Sequence, residues 1–197
     1  MLARSSREVA ERTGRRILEA AREAFASQGY ARVTLEEVAA AAGVTRGAVY
    51  HRYASKAALF TGVLAQVMSA VAVEVEGIAD GVPGDDPFVQ LEAGCLAFVR
   101  AATAPGVRRI LLVDGPAVVG WEAWRELDAD HSRRTLEAGL EAIRSEGLLQ
   151  GEPSAAAILL SGALNEAALW VAAAEDPKAA MESVAVTFPL MLDALRA

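Results

Sequence analysis

Four residues on one short stretch are the best placed to do chemistry: Arg46, Gly47, Tyr50 and His51, directly after Thr45. Arg46 and Tyr50 are spaced i, i+4, as are Gly47 and His51, so on a helix they share one side. Val49 and Tyr53 form another such pair, and if those two face an interior the polar set projects outward. A guanidinium near a helix N-terminus suits a bidentate contact to guanine O6 and N7. Gly47 lets the helix axis approach a groove closely. The Thr45 and Tyr50 hydroxyls suit phosphates, which position a helix without reading sequence. Lys56 opens a further helix, whose N-terminal amides attract another phosphate. Together with Thr34, these residues form the candidate DNA-contacting set: Thr34, Thr45, Arg46, Gly47, Tyr50, His51 and Lys56.

The elements that must hold this set can be read from the neighbouring residues. Thr34 is a good N-cap and Glu37 stands three residues on, the pattern of a capping box. Val38 and Ala39 supply the inner face of a short helix. Gly43 ends it, because glycine takes the left-handed turn without steric cost. Thr45 caps a second short helix. Two short helices joined through a glycine turn form a helix-turn-helix, whose second helix enters the major groove. Before it, Ile17, Leu18, Ala21, Ala24 and Phe25 recur at helical period over about Thr13 to Ser27, and residues 1–11 are expected to be frayed or an arm on DNA.

Net charge is -7, which argues against a polyanion partner until its distribution is considered. Residues 1–56 carry ten Arg/Lys against six Asp/Glu, or +4; the remainder carries nine against twenty, or -11. A basic head on an acidic body directs a nucleic acid to the head alone. A single cysteine, Cys95, cannot form an intrachain disulfide, and no apolar signal core opens the chain, so the expected location is the cytoplasm. The apolar window Ala155 to Ala174 has Asn165 and Glu166 at its middle, so a buried or partner-facing helix is expected there rather than a membrane span.

After Ser55, a proline-free pattern runs from Lys56 to about Ile78–Gly81. It predicts a rigid lever leaving the head. Asp86-Pro87 opens a fifth helix, Pro105-Gly106 and Asp114-Gly115-Pro116 bracket a short apolar one, and Trp121 to Glu146 reads as one long helix. Pro153 to Ala174 is the eighth. Asp176-Pro177 opens the ninth, with Pro189 expected to kink it. The chain is thus expected to be all-α with about nine helices. Residues 1–55 form a DNA-binding domain and 56–197 a helical effector-binding and dimerisation domain.

The stretches ILEAAREAFASQGY and VTLEEVAAAAGVTRGAVYHRYASKAALF resemble the DNA-binding head of the TetR family of bacterial transcriptional regulators. The resemblance rests on Thr34, Gly43, Val44, Tyr50, Tyr53, Ser55 and Lys56 and covers about 45 residues from Ile17 to Phe60. Tyr53 stands where the family usually has phenylalanine, and Arg52 where it often has histidine or tyrosine. The resemblance implies a homodimer whose last two helices form a four-helix interface. Leu159, Gly162, Ala163, Leu169, Val184, Phe188 and Leu192 are then the candidate interface residues. Dimerisation also suits the geometry of reading, since one short recognition helix covers few bases and paired half-sites lie about 34–36 Å apart.

No motif in the body names a ligand. Phe98, Arg100, Trp121, Trp124, His131, Asn165 and Trp170 are the candidate lining of an effector pocket, which is expected to be mostly apolar with a few polar groups. Asp128 and His131 stand at i, i+3, but no metal-ligand spacing, nucleophile elbow or phosphate-cradling loop accompanies them. No catalytic residue, metal or cofactor is expected. The sequence predicts a regulator, most simply a repressor that leaves a palindromic double-stranded DNA operator when a small apolar effector binds. The alternatives are a scaffold dimer without effector and an enzyme with a DNA-binding head.

Overall fold

The computed structural model describes the backbone of residues 2–197 and the side chains of residues 8–197. The arm side chains Arg4 and Arg7 therefore lie outside the described residues. Among the described residues the chain forms nine continuous helical runs and no strand; one isolated bridge joins Leu149 to Arg196.

Helix α1 spans Leu2–Gln28, so it begins well before Thr13, and the stretch expected to fray is helical from Leu2. Helix α2 is Leu35–Ala41 and α3 is Arg46–Arg52. The capping box is complete: Glu37 N–H donates to Thr34 Oγ1 at 3.2 Å, and Thr34 N–H donates to Glu37 Oε2 at 2.9 Å. Thr45 Oγ1 accepts from Ala48 N–H at 3.2 Å and starts α3. Between them Gly43 has φ +60°, where a side chain is strained. Ile17, Phe25, Val38 and Val49 are fully buried and pin the three helices together. Phe25, Tyr30 and Phe60 pack with ring centroids 5.1–5.9 Å apart, which fastens this head to the first turns of the next helix.

Helix α4, Lys56–Asp80, is capped by Ser55, whose Oγ accepts from Ala58 N–H at 3.0 Å. It runs unbroken for 25 residues, roughly 37 Å at 1.5 Å per residue. Helix α5 is Pro87–Thr103, capped by Asp86 as the Asp-Pro pair predicts. Helix α6 covers 105–119: Pro105–Arg108 and Gly115–Val119 are α-helical, and Arg109–Asp114 takes a wider π-helical turn. The break expected at Asp114-Gly115-Pro116 is thus bridged. The π turn absorbs the proline, and Gly115 allows the close approach of Trp124. A Cβ at Gly115 would stand 2.9 Å from the Ile110 carbonyl and 3.0 Å from the indole. Helix α7 covers 121–145, again with a π-helical turn, Ala129–Arg133, in its middle.

Helix α8 is Pro153–Ala173 and α9 is Pro177–Asp193, which continues through Pro189 without a break. Helices α4 and α8 are long and apolar enough to cross a membrane, yet each gives one side to the protein core through Leu64, Val67 and Met68 or Leu160, Leu164 and Ala168. Arg196 closes the fold. Its guanidinium pairs with Asp86 at 3.0 Å and lies 4.3 Å from the centroid of the Phe88 ring.

Candidate nucleic-acid interface and ligand cavity

The exposed side of α3 carries Thr45, Arg46, Gly47, Tyr50 and His51, because Val49 is turned fully inward and Tyr53 half inward. The Arg46 guanidinium does not hang free. Its Nε pairs with Glu36 Oε1 of α2 at 2.9 Å, and its far nitrogen donates to the Tyr50 hydroxyl at 3.5 Å. Both contacts favour the cation, so its already high pKa is raised further, by the Tyr50 hydrogen bond first and the Glu36 charge second. Arg52 is drawn away from this face and lies over α1, where a Cβ on Gly14 would meet its guanidinium at 2.5 Å. Thr34 is exposed, but its hydroxyl donates to Glu37 Oε2 at 2.8 Å while accepting from Glu37 N–H. It therefore acts as a cap.

Contrary to what its place at the start of α4 predicts, Lys56 does not reach out toward phosphate: its Nζ donates to the carbonyls of Tyr30 at 2.9 Å, Val33 at 3.0 Å and Ala31 at 3.3 Å. The ammonium also lies 4.4 Å from the centroid of the Tyr30 ring. Its three hydrogens are spent on the loop between α1 and α2, which it ties to the start of α4. Lys56→Ala should leave three carbonyls short of a donor and destabilise the protein by about 1–3 kcal/mol. Thermal and urea melts check this. A melt identical to the parent's would show that the ammonium does not hold the loop.

The head is joined to the rest of the protein at a second place. Asp114 Oδ2 accepts from Tyr30 N–H at 2.8 Å, and Arg109 donates to the Ser27 carbonyl at 3.0 Å. Both residues belong to the π turn of α6. That turn is held in turn by Trp124, whose buried Nε1–H donates to the Leu111 carbonyl at 2.8 Å.

A cavity of about 270 Å³ lies between α4, α5, α7 and α8. Its apolar lining includes Val75, Leu91, Phe98, Leu136, Ile143 and Leu164, and its polar lining includes Glu76, Asp80, Gln90, Asp128, Ser132, Arg133, Thr135 and Ser161. Of the residues expected here, Phe98 is in the wall. Asn165 sits just behind it, buried beside Asp128. The other five are elsewhere. Trp124 is core. Trp121 is 65% exposed and stacks on Trp124 with centroids 5.4 Å apart. Arg100 is exposed on the far side of α5, Trp170 is exposed on α8, and His131 is half-buried outside the lining.

Asp128, singled out in the sequence only for its i, i+3 spacing to His131, is instead a buried carboxyl of the cavity wall. Asp128 is 3% exposed, and Ser161 Oγ–H donates to its Oδ2 at 3.3 Å. Burial pushes its pKa up; Arg125, the Ser161 hydrogen bond, Arg133 and Asn165 pull the other way. The unfolded carboxyl ionises near its ordinary value, about 3.9. Above that pH the folded chain holds the proton longer, so the native state binds more protons and stability falls as pH rises through the window up to the raised folded value. Asp128→Asn should therefore melt higher than the parent near neutral pH, and the advantage should vanish in acid below the ordinary carboxyl range. A lower melt for the variant at neutral pH would contradict the burial argument. Cys95, also in the wall, has its thiol pushed up to about 12 by burial, so it is not a nucleophile.

The outer sides of α8 and α9 are apolar and exposed. Leu159 is 74% and Leu190 67% exposed, and Ile158, Leu169, Trp170, Val186 and Met191 are exposed as well. Gly162 is also exposed, with open space where a Cβ would stand, while Ala163 is half-buried. Val184, Phe188 and Leu192, expected in a dimer seam, instead face the protomer's own core at 9%, 4% and 2% exposure. Helix α9 carries two apolar rows, and the inner one is consumed by packing within the chain.

A capped helix-turn-helix with an outward Arg-Tyr face, on an all-helical body with a cavity, defines a DNA-binding regulator. Comparison with known proteins agrees. A family model described as "Bacterial regulatory proteins, tetR family" matches residues 17–63, and one described as "Tetracyclin repressor-like, C-terminal domain" matches residues 88–195. The chain belongs to the TetR family of bacterial transcriptional regulators. It is 33% identical over 154 residues to the HTH-type transcriptional regulator AcrR of Shigella flexneri, covering 72% of this chain and 70% of that protein. It is 30% identical over 154 residues to the A-factor receptor protein of Streptomyces griseus, covering 77% of this chain and 52% of that one, so it spans about half that receptor's length. A crystal structure of a TetR-family transcriptional regulator from Pectobacterium atrosepticum superposes with a TM-score of 0.82 at 28% identity, covering 97% of each chain. The first and third of these are named as transcriptional regulators and the second as a receptor.

Proposed function

We propose that this regulator is a homodimeric, ligand-responsive repressor of the bacterial cytoplasm, with residues 1–55 as reader and 56–197 as sensor and dimerisation body. The observation that carries the reading is helix α4. Its first turns bury Leu59 and Phe60 against the head, and its last turns put Val75, Glu76, Ala79 and Asp80 in the cavity wall. A ligand that spreads or tightens the cavity must move α4, α7 or both, and each is tied to the head: α4 directly, α7 through Trp124 and the π turn at Arg109–Asp114. Two heads, paired across the exposed faces of α8 and α9, would meet a pseudopalindromic operator in successive major grooves. The name of the A-factor receptor fits a sensor built this way.

Coupling of about 1–3 kcal/mol between cavity and head changes operator affinity by roughly 5–150-fold. The test has two stages. The protein first selects its preferred sequences from a random duplex pool. Fluorescence anisotropy on the selected duplex then follows release as apolar ligands are added. Release by at least one ligand that also raises the melting temperature supports the proposal. Specific DNA binding that no cavity-filling ligand alters would point to an effector-independent scaffold.

A further inference from the structure

The polar groups at the inner end of the cavity do not balance. Asp128 presents two carboxylate oxygens; Ser161 spends its one O–H on Oδ2. Asn165, 8% exposed and on the same side, has its Oδ1 buried with no hydrogen-bond partner. Its amide group faces Asp128 and favours the ionised carboxyl. The cluster therefore holds one buried acceptor, Asn165 Oδ1, without a hydrogen-bond partner, in a place where an unmet acceptor is costly. The charges around the cavity lean the same way. Glu76, Asp80 and Asp128 carry three carboxyl groups against the one guanidinium of Arg133. Arg133 also borders the shallow surface hollow beside Trp121 and Arg125, so its charge is shared with solvent. It makes no ion pair with Asp128 within bonding distance, acting on it only at longer range. The remaining wall is hydrocarbon.

We propose that the cavity takes a small apolar molecule carrying one protonated amine, seated with its N–H groups on Asp128 and Ser161, in front of Asn165, and its hydrocarbon against Phe98, Leu136 and Leu164. This rests on the reading of the cavity as the effector site and adds the chemical class of the effector. An ammonium supplies N–H donors and a charge that a buried carboxylate can pair with, and charge-assisted contacts of this kind are about twice as strong as neutral ones. The volume, about 270 Å³, lies near the lower end of the ~300–1,000 Å³ usual for ligand pockets, so the molecule is small.

The test uses three probes of one shape: phenylbutylamine, phenylbutanol and phenylbutyrate. Isothermal titration of the full chain should show the amine binding about 10–100-fold more tightly than the alcohol, with the carboxylate weakest. Asp128→Asn should bring the amine down to the level of the alcohol while leaving the alcohol unchanged. Asp80→Asn, at an exposed rim position, should give a smaller loss for the amine alone and guards against a folding defect in the first variant. Equal binding of amine and alcohol, tighter binding of the carboxylate, no binding by any probe, or an amine preference that survives Asp128→Asn would each overturn the proposal. Operator anisotropy in the same samples separates the two readings. Tight, Asp128-dependent amine binding with no effect on DNA would keep the ligand class and sink the effector role. Release of DNA by the carboxylate would do the reverse.

Discussion

Arg46→Ala should weaken binding to the selected operator by about 5–150-fold for each half-site, and by the product of the two in the dimer. The reason is placement. Arg46 stands at the first position of α3, where the groove-facing end of a recognition helix lies. Its fork is aimed by Glu36 on one side and Tyr50 on the other. The Glu36 pair must open, or share its guanidinium, when a guanine is read. Both partners are largely exposed, 64% and 49%, so that pair is of the weak surface kind and a bidentate base contact outweighs it. Arg46→Lys should keep the charge and lose the fork, leaving non-specific affinity and its salt dependence nearly intact while base preference relaxes. Competition binding against shuffled duplexes, repeated over a salt series, separates these outcomes. An Arg46→Ala protein with undiminished preference would take the base-reading role away from this residue.

Leu159→Glu combined with Leu190→Glu should convert the dimer to monomer and abolish cooperative operator binding. Large apolar side chains on the outer rows of α8 and α9 gain about 1.5–3 kcal/mol each when covered. Across a two-fold axis each substitution is doubled, and a buried carboxylate facing its own copy adds several kcal/mol of desolvation and repulsion. The expected rise in the dimer dissociation constant is more than about a thousandfold. The fold of the protomer should survive, because both positions are exposed within it. Sedimentation velocity reads the mass directly. A double variant that still sediments as a dimer would place the interface on another surface. The same substitution at Phe188 makes a control, since that side chain fills the protomer core and its loss should unfold the chain instead.

The head was legible in the sequence because its determinants are local. Thr34 with Glu37, Gly43 at positive φ, Thr45 and Ser55 each act within a few residues, and each cap stands where spacing put it. The count of helices was legible for the same reason. Residues whose roles depend on distant partners were not. Lys56 reads as a helix-start cation until the carbonyls of Tyr30, Ala31 and Val33 are brought under it. Val184, Phe188 and Leu192 form a genuine apolar row, but Val186, Leu190 and Met191 form another on the same helix. Only packing against α5 and α8 decides which is inner. The tryptophans were a poor guide to the cavity. One is core and two are surface, whereas the wall is built from aliphatic residues, Phe98 and a set of polar groups that includes the buried Asp128. The two π-helical turns left no spacing signal, and they lie at the cavity wall and at the contact with the head.

Two copies of α3 are expected to read DNA symmetrically, with Arg46 on guanine, and methylation interference at guanine N7 on the selected duplex checks this. Interference should fall at guanines in two inverted half-sites centred about 34–36 Å apart, one helical turn, and that pattern should be lost in Arg46→Ala. Interference on one side only, at no fixed spacing, or unchanged by Arg46→Ala would contradict it.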